Sequence, residues 1–529
     1  MAESRAGFKS QLEKRPVVSS FLFTGNLGSQ RVALFKRSDK VRTYQHCLAP
    51  ISGSIETGEL PIVAAWREIK EETGLTCQDI ELWRQGTPYS LGDPSIGREW
   101  IIYPFAFRLR NTHEGGRGEA AIKIDWEHDG WEWFNPKDVV DDESFGGVPR
   151  LAESLRRVYF EMWLNDSASR ALHSGLVQLK NDHSSGSHEL TTIGIKVFRD
   201  TIIYLENDKN WWDTVRIVAW HIWKNGRESM GSATLNALLS ILGDLDQIKD
   251  RDLQGQWSSI LSLVDRHLES RHKTATHIIK AFDSYLQSAY FTNLPPEKVH
   301  KLTVLTLSAS STIRNCILKI FQSSPISQLD LRILESRPLF EGASMAASLL
   351  FESQSALKDS ETKRFHISVY TDAAAALAAQ DVDFVLLGAD RISGSGSVSN
   401  KAGSLPAVLC AKHVSPRAKI LVLSSQEKVA EPADDSEHQI EENNPAEVTN
   451  SWSLSELKGW DVLQEHSTGQ TPSCSVTVRN PYFEWVPSEL IDVFITEDGP
   501  MKPSAIYGKA VEVQRKTHRY FGFLWSMSI

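Results

Sequence analysis

Three glutamates, Glu68, Glu71 and Glu72, stand at i, i+3 and i+4 in a segment with the composition of a helix. At that spacing their carboxylates share one face and repel one another unless a cation intervenes. Hard divalent ions suit such oxygen clusters. The surrounding stretch, Gly53 to Leu75, adds what metal-assisted attack of water on a phosphoanhydride needs. Glu59 is a further acid, Arg67 can orient a carboxylate, and Gly53 lets the backbone approach phosphate or metal. The expected order is loop, helix, loop: Pro61 is tolerated in a first helical turn, an alanine-rich middle propagates the helix, and Gly74 suits a left-handed exit. Three glutamates alone more often mark a solvated helical surface. The complete pattern around them is what favours chemistry.

A second constellation lies in the other half of the chain. Apolar runs at Leu302–Leu307, Leu329–Leu334, His366–Tyr370, Val382–Leu387 and Lys419–Leu423 alternate with segments long enough to be helices, which predicts a parallel sheet with crossover helices. In such a sheet ligands bind beyond the carboxyl ends of the strands. The residues there are Ser308 with Ser310, Ser311 and Thr312, then Glu335, Arg337 and Glu341, then Gly388-Ala389-Asp390. The loop Ser393–Gly403, ending in Asn400-Lys401, is expected to open a helix whose free N–H groups hold a phosphate while Lys401 adds charge.

The elements that must position these groups follow from patterning. Val17–Phe23 and Arg31–Lys36 read as strands joined by the turn Gly25–Gly28, with further extended runs at Trp100–Arg108 and Trp131–Phe134. Apolar residues then recur at helical spacing over Leu151–Leu179 and Glu189–Tyr290. The expected division is a tail, 1–14; a first α/β domain, 15–142; a helical region, 143–295; and a Rossmann-like parallel-sheet domain, 296–529. The stretch 426–447 is an acidic insertion in the last of these, predicted to be solvated rather than part of a site.

Composition bounds the function classes. The 529 residues are 41% apolar and 23% charged, as in ordinary globular proteins, and exclude collagen-like and coiled-coil chains. The net charge is −10, of which the acidic insertion carries −7, so no basic nucleic-acid footprint is evident. Cys47, Cys77, Cys316, Cys410 and Cys474 lack paired spacing, which predicts reduced thiols and no zinc pattern. Met1–Lys14 is polar and lacks the apolar core of a signal peptide, and no run approaches the ~20 apolar residues of a membrane span. A cytoplasmic location without membrane partners is expected.

The arrangement G-x5-E-x7-R-E-U-x-E-E-x-G-U, where U is a bulky aliphatic, is met by Gly53, Glu59, Arg67, Glu68, Ile69, Glu71, Glu72, Gly74 and Leu75, and resembles the Nudix box. The resemblance covers about residues 15–142. It implies an α/β/α sandwich that uses Mg²⁺ or Mn²⁺ to hydrolyse a nucleoside diphosphate derivative. Glu68, Glu71 and Glu72 would be metal ligands or the water-activating base, with Glu59 supporting and Arg67 orienting. Glu127, before His128 and Gly130-Trp131-Glu132-Trp133, is similar to a late glutamate of dinucleoside-polyphosphate-hydrolysing members that assists metal or base. Trp126, Trp131 and Trp133 could stack on a base or simply pack at the domain edge.

The second constellation resembles the translation initiation factor 2B α/β/δ-subunit family, which includes methylthioribose-1-phosphate and ribose-1,5-bisphosphate isomerases. The matching segments are Glu335-Ser336-Arg337-Pro338 through Gly342, Gly388-Ala389-Asp390, Asn400-Lys401, Asn480 to Glu484, and Ile495 to Gly499, with Gly226-Arg227 resembling an arginine-containing helix start. The resemblance, over about 155–529, implies a pocket for a sugar phosphate or nucleotide lined by Arg227, Ser308, Arg337, Asn400 and Lys401, with Asp390 as acid or base. It also implies a homodimer through the C-terminal domain. The isomerases use a cysteine shortly after the first strand, where this chain has Ser308, a much poorer acid than a thiol. Ligand binding without the isomerase mechanism, an altered isomerase, and a regulatory translation-factor-like subunit are the alternatives. Cys316 is expected to be a buried helix residue.

Overall fold

A computed structural model describes residues 12–182, 185–227, 231–250, 257–293, 301–322, 326–358, 364–432, 440, 442–453, 457–467 and 476–525. Most of the expected tail, 1–14, and residues 433–439 and 441 of the acidic insertion lie outside these.

The N-terminal unit is an eight-stranded mixed sheet of β1 (Glu13–Thr24), β2 (Arg31–Arg37), β3 (Leu48–Ala49), β4 (Ile51–Ser54), β5 (Ile80–Gln85), β6 (Tyr89–Asp93), β7 (Arg98–Leu109) and β8 (His128–Phe134), in which β1 and β7 pair in parallel along most of their length. Both faces are apolar because alternate residues along each strand go to opposite sides. Leu22, Ala33 and Phe35 pack under helix α1 (Pro61–Thr73), whereas Phe21, Phe23, Val32 and Leu34 pack under α2 (Leu151–Val158). The result is the expected α/β/α sandwich. Two boundaries move. Glu13 and Lys14, assigned to the tail, begin β1, and α2, assigned to the helical region beyond 142, closes the N-terminal core through Leu151, Leu155 and Val158. The 3.6-residue pattern of α2 marks a helix correctly; periodicity says nothing about which sheet a helix covers.

Helices α3 (Asp166–Asn181), α4 (Ser187–Ile202), α5 (Trp211–Asn225), α6 (Gly231–Asp246) and α7 (Trp257–Tyr285) form a bundle with one core. The C-terminal sheet has strands β9 (Lys301–Leu307), β10 (Gln328–Leu334), β11 (Arg364–Tyr370), β12 (Phe384–Leu387), β15 (Lys419–Leu423), β17 (Val493–Thr496) and β18 (Gly499–Met501) in the order β11-β10-β9-β12-β15-β17-β18. All pairs are parallel except β17 with β18. Counted from β9, the first six strands run 3-2-1-4-5-6, the doubly wound order, and the direction of winding reverses between β9 and β12. A small antiparallel sheet, β13 (Arg391–Ile392), β14 (Val398–Lys401) and β16 (Phe483–Val486), sits beside that reversal. Helices α8 (Ser311–Gln322), α9 (Glu341–Lys358), α10 (Ala375–Ala378), α11 (Ser404–Val414), α12 (Ala446–Ser453), α13 (Trp460–Ser467) and α14 (Pro503–Phe521) complete the chain. Among the described residues no helix is long and apolar enough to cross a membrane.

The units are joined by buried polar contacts. Asn225 of α5 exchanges two hydrogen bonds with the Gln85 backbone, at 2.7 and 3.0 Å. Arg157 of α2 donates to Thr87 Oγ1 at 2.8 Å and to the Leu524 carbonyl beyond α14 at 2.7 Å. Gly86 permits this approach, since a Cβ there would lie 2.8 Å from the Arg157 carbonyl oxygen. Arg84 and Glu161 form an ion pair at 3.2 Å, each about 1% exposed. Burial pushes the Glu161 carboxyl up, but Arg84 and His173 outweigh it and hold it down at about 2. Removing one member of such a pair strands the other's charge. Arg84→Leu is therefore expected to cost about 3–5 kcal/mol in urea denaturation, and Arg84→Leu/Glu161→Leu to recover most of that loss. Equal losses in the single and double variants would contradict this.

Candidate functional site

Helix α1 starts with Pro61 at its first position and ends on Gly74 at φ 68°, whose N–H donates to the Lys70 carbonyl. Its buried stripe, Ala64, Ala65 and Ile69, fixes the rotation that brings Glu68 to Gly53 on β4 and Glu72 to His128 on β8. Gly53 on β4 is where helix and strand meet: a Cβ there would fall 1.9 Å from the Glu68 carboxyl carbon. Arg67 ties the group together. Its guanidinium donates twice to Glu59, both at 2.9 Å, once to Glu68 at 2.7 Å, and once to the Ser54 carbonyl at 3.0 Å. The glutamates share a face, as expected, but at different depths. Glu72 is 3% exposed, Glu68 is largely covered, and Glu71 is 59% exposed with only a 3.4 Å contact to Arg67.

Glu127, just ahead of β8, comes to the same place. Burial, followed by the negative charges of Glu127 and Glu68, pushes the Glu72 carboxyl well above the ordinary range. Burial likewise raises Glu68 and Glu127. One Glu72 oxygen meets His128 Nε2 at 2.6 Å; the other is buried without a hydrogen-bond partner among the described residues. His128 is a site residue that sequence reasoning did not single out; its only signal was the Glu127-His128 adjacency. As the side chains stand, Arg67 holds Glu68 and His128 holds Glu72, so no three acidic, His or Cys groups converge as a ready metal shell among the described residues.

Glu68, Gly53 and Glu127 form one wall of a cavity of about 450 Å³. Arg37, Arg150, Tyr44 and Trp100 also line it. Arg150 lies over the Tyr89 ring at 4.7 Å. Trp126, Trp131 and Trp133 do not line the cavity. Trp131 packs edge-on against Trp133 at 5.4 Å, as the packing alternative has it, whereas Trp126 is exposed.

The second constellation meets at the winding reversal of the C-terminal sheet, around another cavity of about 450 Å³. Ser308 beyond β9, Asp390 beyond β12, Asn400 and Lys401 on β14, and Arg227 beyond α5 all line it. Ser308 Oγ donates to Glu341 at 3.2 Å, and Lys401 pairs with the same carboxylate oxygen at 3.0 Å. Burial raises the Asp390 carboxyl against the opposing pull of Lys428 and Lys401. Cys316 is buried on α8, as expected, and burial pushes its thiol up.

Three expectations are corrected here. Arg337 does not line the cavity. Its side chain is 54% exposed, pairs with Glu335 at 2.9 Å, and lies over the Phe340 ring. The loop Ser393–Gly403 does lead into a helix, α11 from Ser404, but its Val398–Lys401 part is the second strand of a hairpin with Arg391–Ile392, and its phosphate-holding role is what fails. The α11 N-terminus holds no open anion site, because Gly403 and Leu405 N–H donate to the Glu484 carboxylate at 2.6 and 3.0 Å. The start of the acidic insertion is part of this site: Lys428 lines the cavity, and Arg271 of α7 grips Glu427 through two hydrogen bonds at 2.9 and 2.7 Å. Acidic composition hid one lysine held in place by a helix far away in sequence.

Comparison with known proteins matches residues 13–158 to the NUDIX domain and residues 232–503 to the Initiation factor 2 subunit family. The methylthioribose-1-phosphate isomerase of Desulforudis audaxviator is 30% identical over 179 residues, covering 34% of this chain and 43% of the isomerase. That of Rhodopirellula baltica is 34% identical over 170 residues, 31% and 40% of the respective lengths. The chain thus spans less than half the length of these curated relatives. A crystal structure of Pyrococcus horikoshii translation initiation factor eIF-2B has a TM-score of 0.44 at 18% identity, covering 63% of this chain and 97% of that one.

Glu72 sets a pH dependence with a definite sign. Its carboxyl is raised above the usual 4.5, so from about there up to the raised value the folded state binds more protons than the unfolded chain. Stability must fall as pH rises through that window. In urea denaturation without divalent cations, Glu72→Gln is expected to flatten this decline; an unchanged slope would contradict it.

Proposed function

Because the chain belongs to the initiation factor 2 subunit family and carries a NUDIX domain ahead of it, we propose that it is a two-site protein. The first site hydrolyses a nucleoside diphosphate derivative with Mg²⁺ or Mn²⁺, and the second takes up a phosphorylated sugar. The observation that carries the first part is that Gly53, Glu68 and Glu127 line one cavity while Glu72, close enough to feel the charges of Glu68 and Glu127, keeps a buried oxygen with no partner among the described residues. Carboxylate oxygens crowded until burial and mutual repulsion raise them suit a hard cation.

Glu68, Glu72 and Glu127, joined by Glu71 from the exposed rim, would hold the ion. When bound it neutralises phosphate charge and makes water a better nucleophile. The chain's own groups do the rest. Arg67 keeps Glu68 and Glu59 in register, Arg37 and Arg150 face the phosphates, and Trp100 and Tyr44 offer ring faces to the base. A carboxylate of the glutamate set takes the proton of the attacking water. In the second cavity Arg227, Lys401 and Asn400 suit a phosphate and its sugar hydroxyls. Ser308, tied to Glu341, favours binding there over thiol-type acid catalysis.

The test is a panel of nucleoside diphosphate sugars and dinucleoside polyphosphates with Mg²⁺ or Mn²⁺. Glu68→Gln and Glu72→Gln are expected to lower kcat by about 100-fold or more, the range for loss of a proton-transfer or charge-stabilising group. Full activity in both variants would overturn the assignment. Absence of turnover by the wild type, with nucleotide binding retained, would point instead to a sensor.

A further inference from the structure

The second cavity contains a lysine in an unusual setting. Lys428 follows β15 on a short turn, lines the cavity, and donates to the Ala389 carbonyl next to Asp390. Among the described residues no carboxylate lies within ion-pair distance of it, although Asp390 is near enough to act on it electrostatically. The turn does not depend on the lysine for its position. Arg271 fixes Glu427, and Asn236 of α6 donates to the Glu427 and Val429 carbonyls at 2.8 and 2.7 Å. Two helices therefore clamp the residues on either side and hold the amine at the cavity wall beside an acid.

We propose that Lys428 forms an imine with the open-chain aldehyde of an aldose phosphate bound in this cavity. This rests on the reading above that the cavity takes a phosphorylated sugar. Lys401 and Arg227 suit the phosphate end, leaving Lys428 and Asp390 for the carbonyl end. Burial lowers the pKa of Lys428 and raises that of Asp390, favouring the neutral amine and the protonated acid that the reaction starts from. The Nζ lone pair attacks C1, the carbonyl pair moves to O1, and O1 takes the Asp390 proton. A proton then passes from nitrogen to the Asp390 carboxylate. Asp390 returns it to the hydroxyl, which leaves as water while the nitrogen lone pair closes the C=N bond. The products are a protonated imine facing the Asp390 carboxylate and one water, with no other reactant consumed. An aldose phosphate with a free C1 is what hydrolysis of a nucleoside diphosphate ribose would release, so the first site could supply this ligand.

The test is reductive trapping. Full-length protein is incubated with ribose 5-phosphate and cyanoborohydride, which reduces a protonated imine in preference to the free aldehyde, then digested and mapped by mass spectrometry, with calorimetry of ribose 5-phosphate binding in parallel. One pentose phosphate per chain is expected on the peptide carrying Lys428. The adduct should be absent in Lys428→Arg, at least tenfold slower in Asp390→Asn, and blocked by ribitol 5-phosphate, which has no carbonyl. Binding without an adduct at Lys428 would overturn the imine and leave the sugar-phosphate reading standing. No binding at all would overturn both. Adducts spread over surface lysines at equal rates in wild type and Lys428→Arg would be nonspecific glycation and would also overturn the proposal. Should Asp390→Asn fail to fold, Lys428→Arg and the ribitol 5-phosphate block decide the question.

Discussion

Burial of mutually repelling carboxylates, Glu68 and Glu72 from α1 and Glu127 from just ahead of β8, is the constraint around which the first site is built. Glu68 lies against Gly53, where any side chain would push it away, and Glu72 is buried against His128. Arg67 compensates part of the charge, but its fork is shared among Glu59, Glu68 and the Ser54 carbonyl. Burial first, and the neighbouring negative charges after it, raise the carboxyls of Glu72 and Glu127. A cluster held this way costs stability in the folded chain and lowers the cost of binding a cation, as is common where local strain serves a site.

The second site shows a different economy. Its charges are mixed: Lys401 and Ser308 converge on Glu341, and Lys428 stands near Asp390, all at the winding reversal where a doubly wound sheet leaves a crevice. The bundle helices α6 and α7 belong to this site as much as the strands do, because Asn236 and Arg271 position the Lys428 turn. Helix α14 extends the connection. It packs in the C-terminal core through Ile506 and Ala510 and in the bundle through Val513 and Phe521, and the turn after it reaches Arg157 of the N-terminal unit.

Legibility in the sequence followed the range of the interactions. The α1 segment was readable down to its caps because helix spacing, Pro61 and Gly74 are local signals, and the long strands β1, β2, β7, β9, β10 and β15 were visible as apolar runs. The strands β4, β6, β13 and β14 are interrupted by polar residues and glycine and so carry no apolar run. Arg37, Tyr44, Trp100 and Arg150 join the first cavity only through tertiary folding, and nothing near them in sequence marks them. Arg337 was misplaced because a strand end shows where a side chain starts and not where it points. Lys428 was overlooked because the charge of its neighbours outweighed it in any composition window, whereas Arg271 and Asn236 act on it from other helices.

The central claim, that the Glu68–Glu72–Glu127 cluster is a cation site, is tested most directly by titrating the protein with Mn²⁺ in a calorimeter at one pH in two buffers of different ionisation enthalpy. Uptake accompanied by proton release is the predicted result, because burial and neighbouring negative charge favour protonation of these carboxyls and a bound cation opposes it. The heats should therefore differ between buffers for the wild type, and binding should be lost or strongly weakened in Glu72→Gln. Absence of uptake, or identical uptake in Glu72→Gln, would contradict the claim.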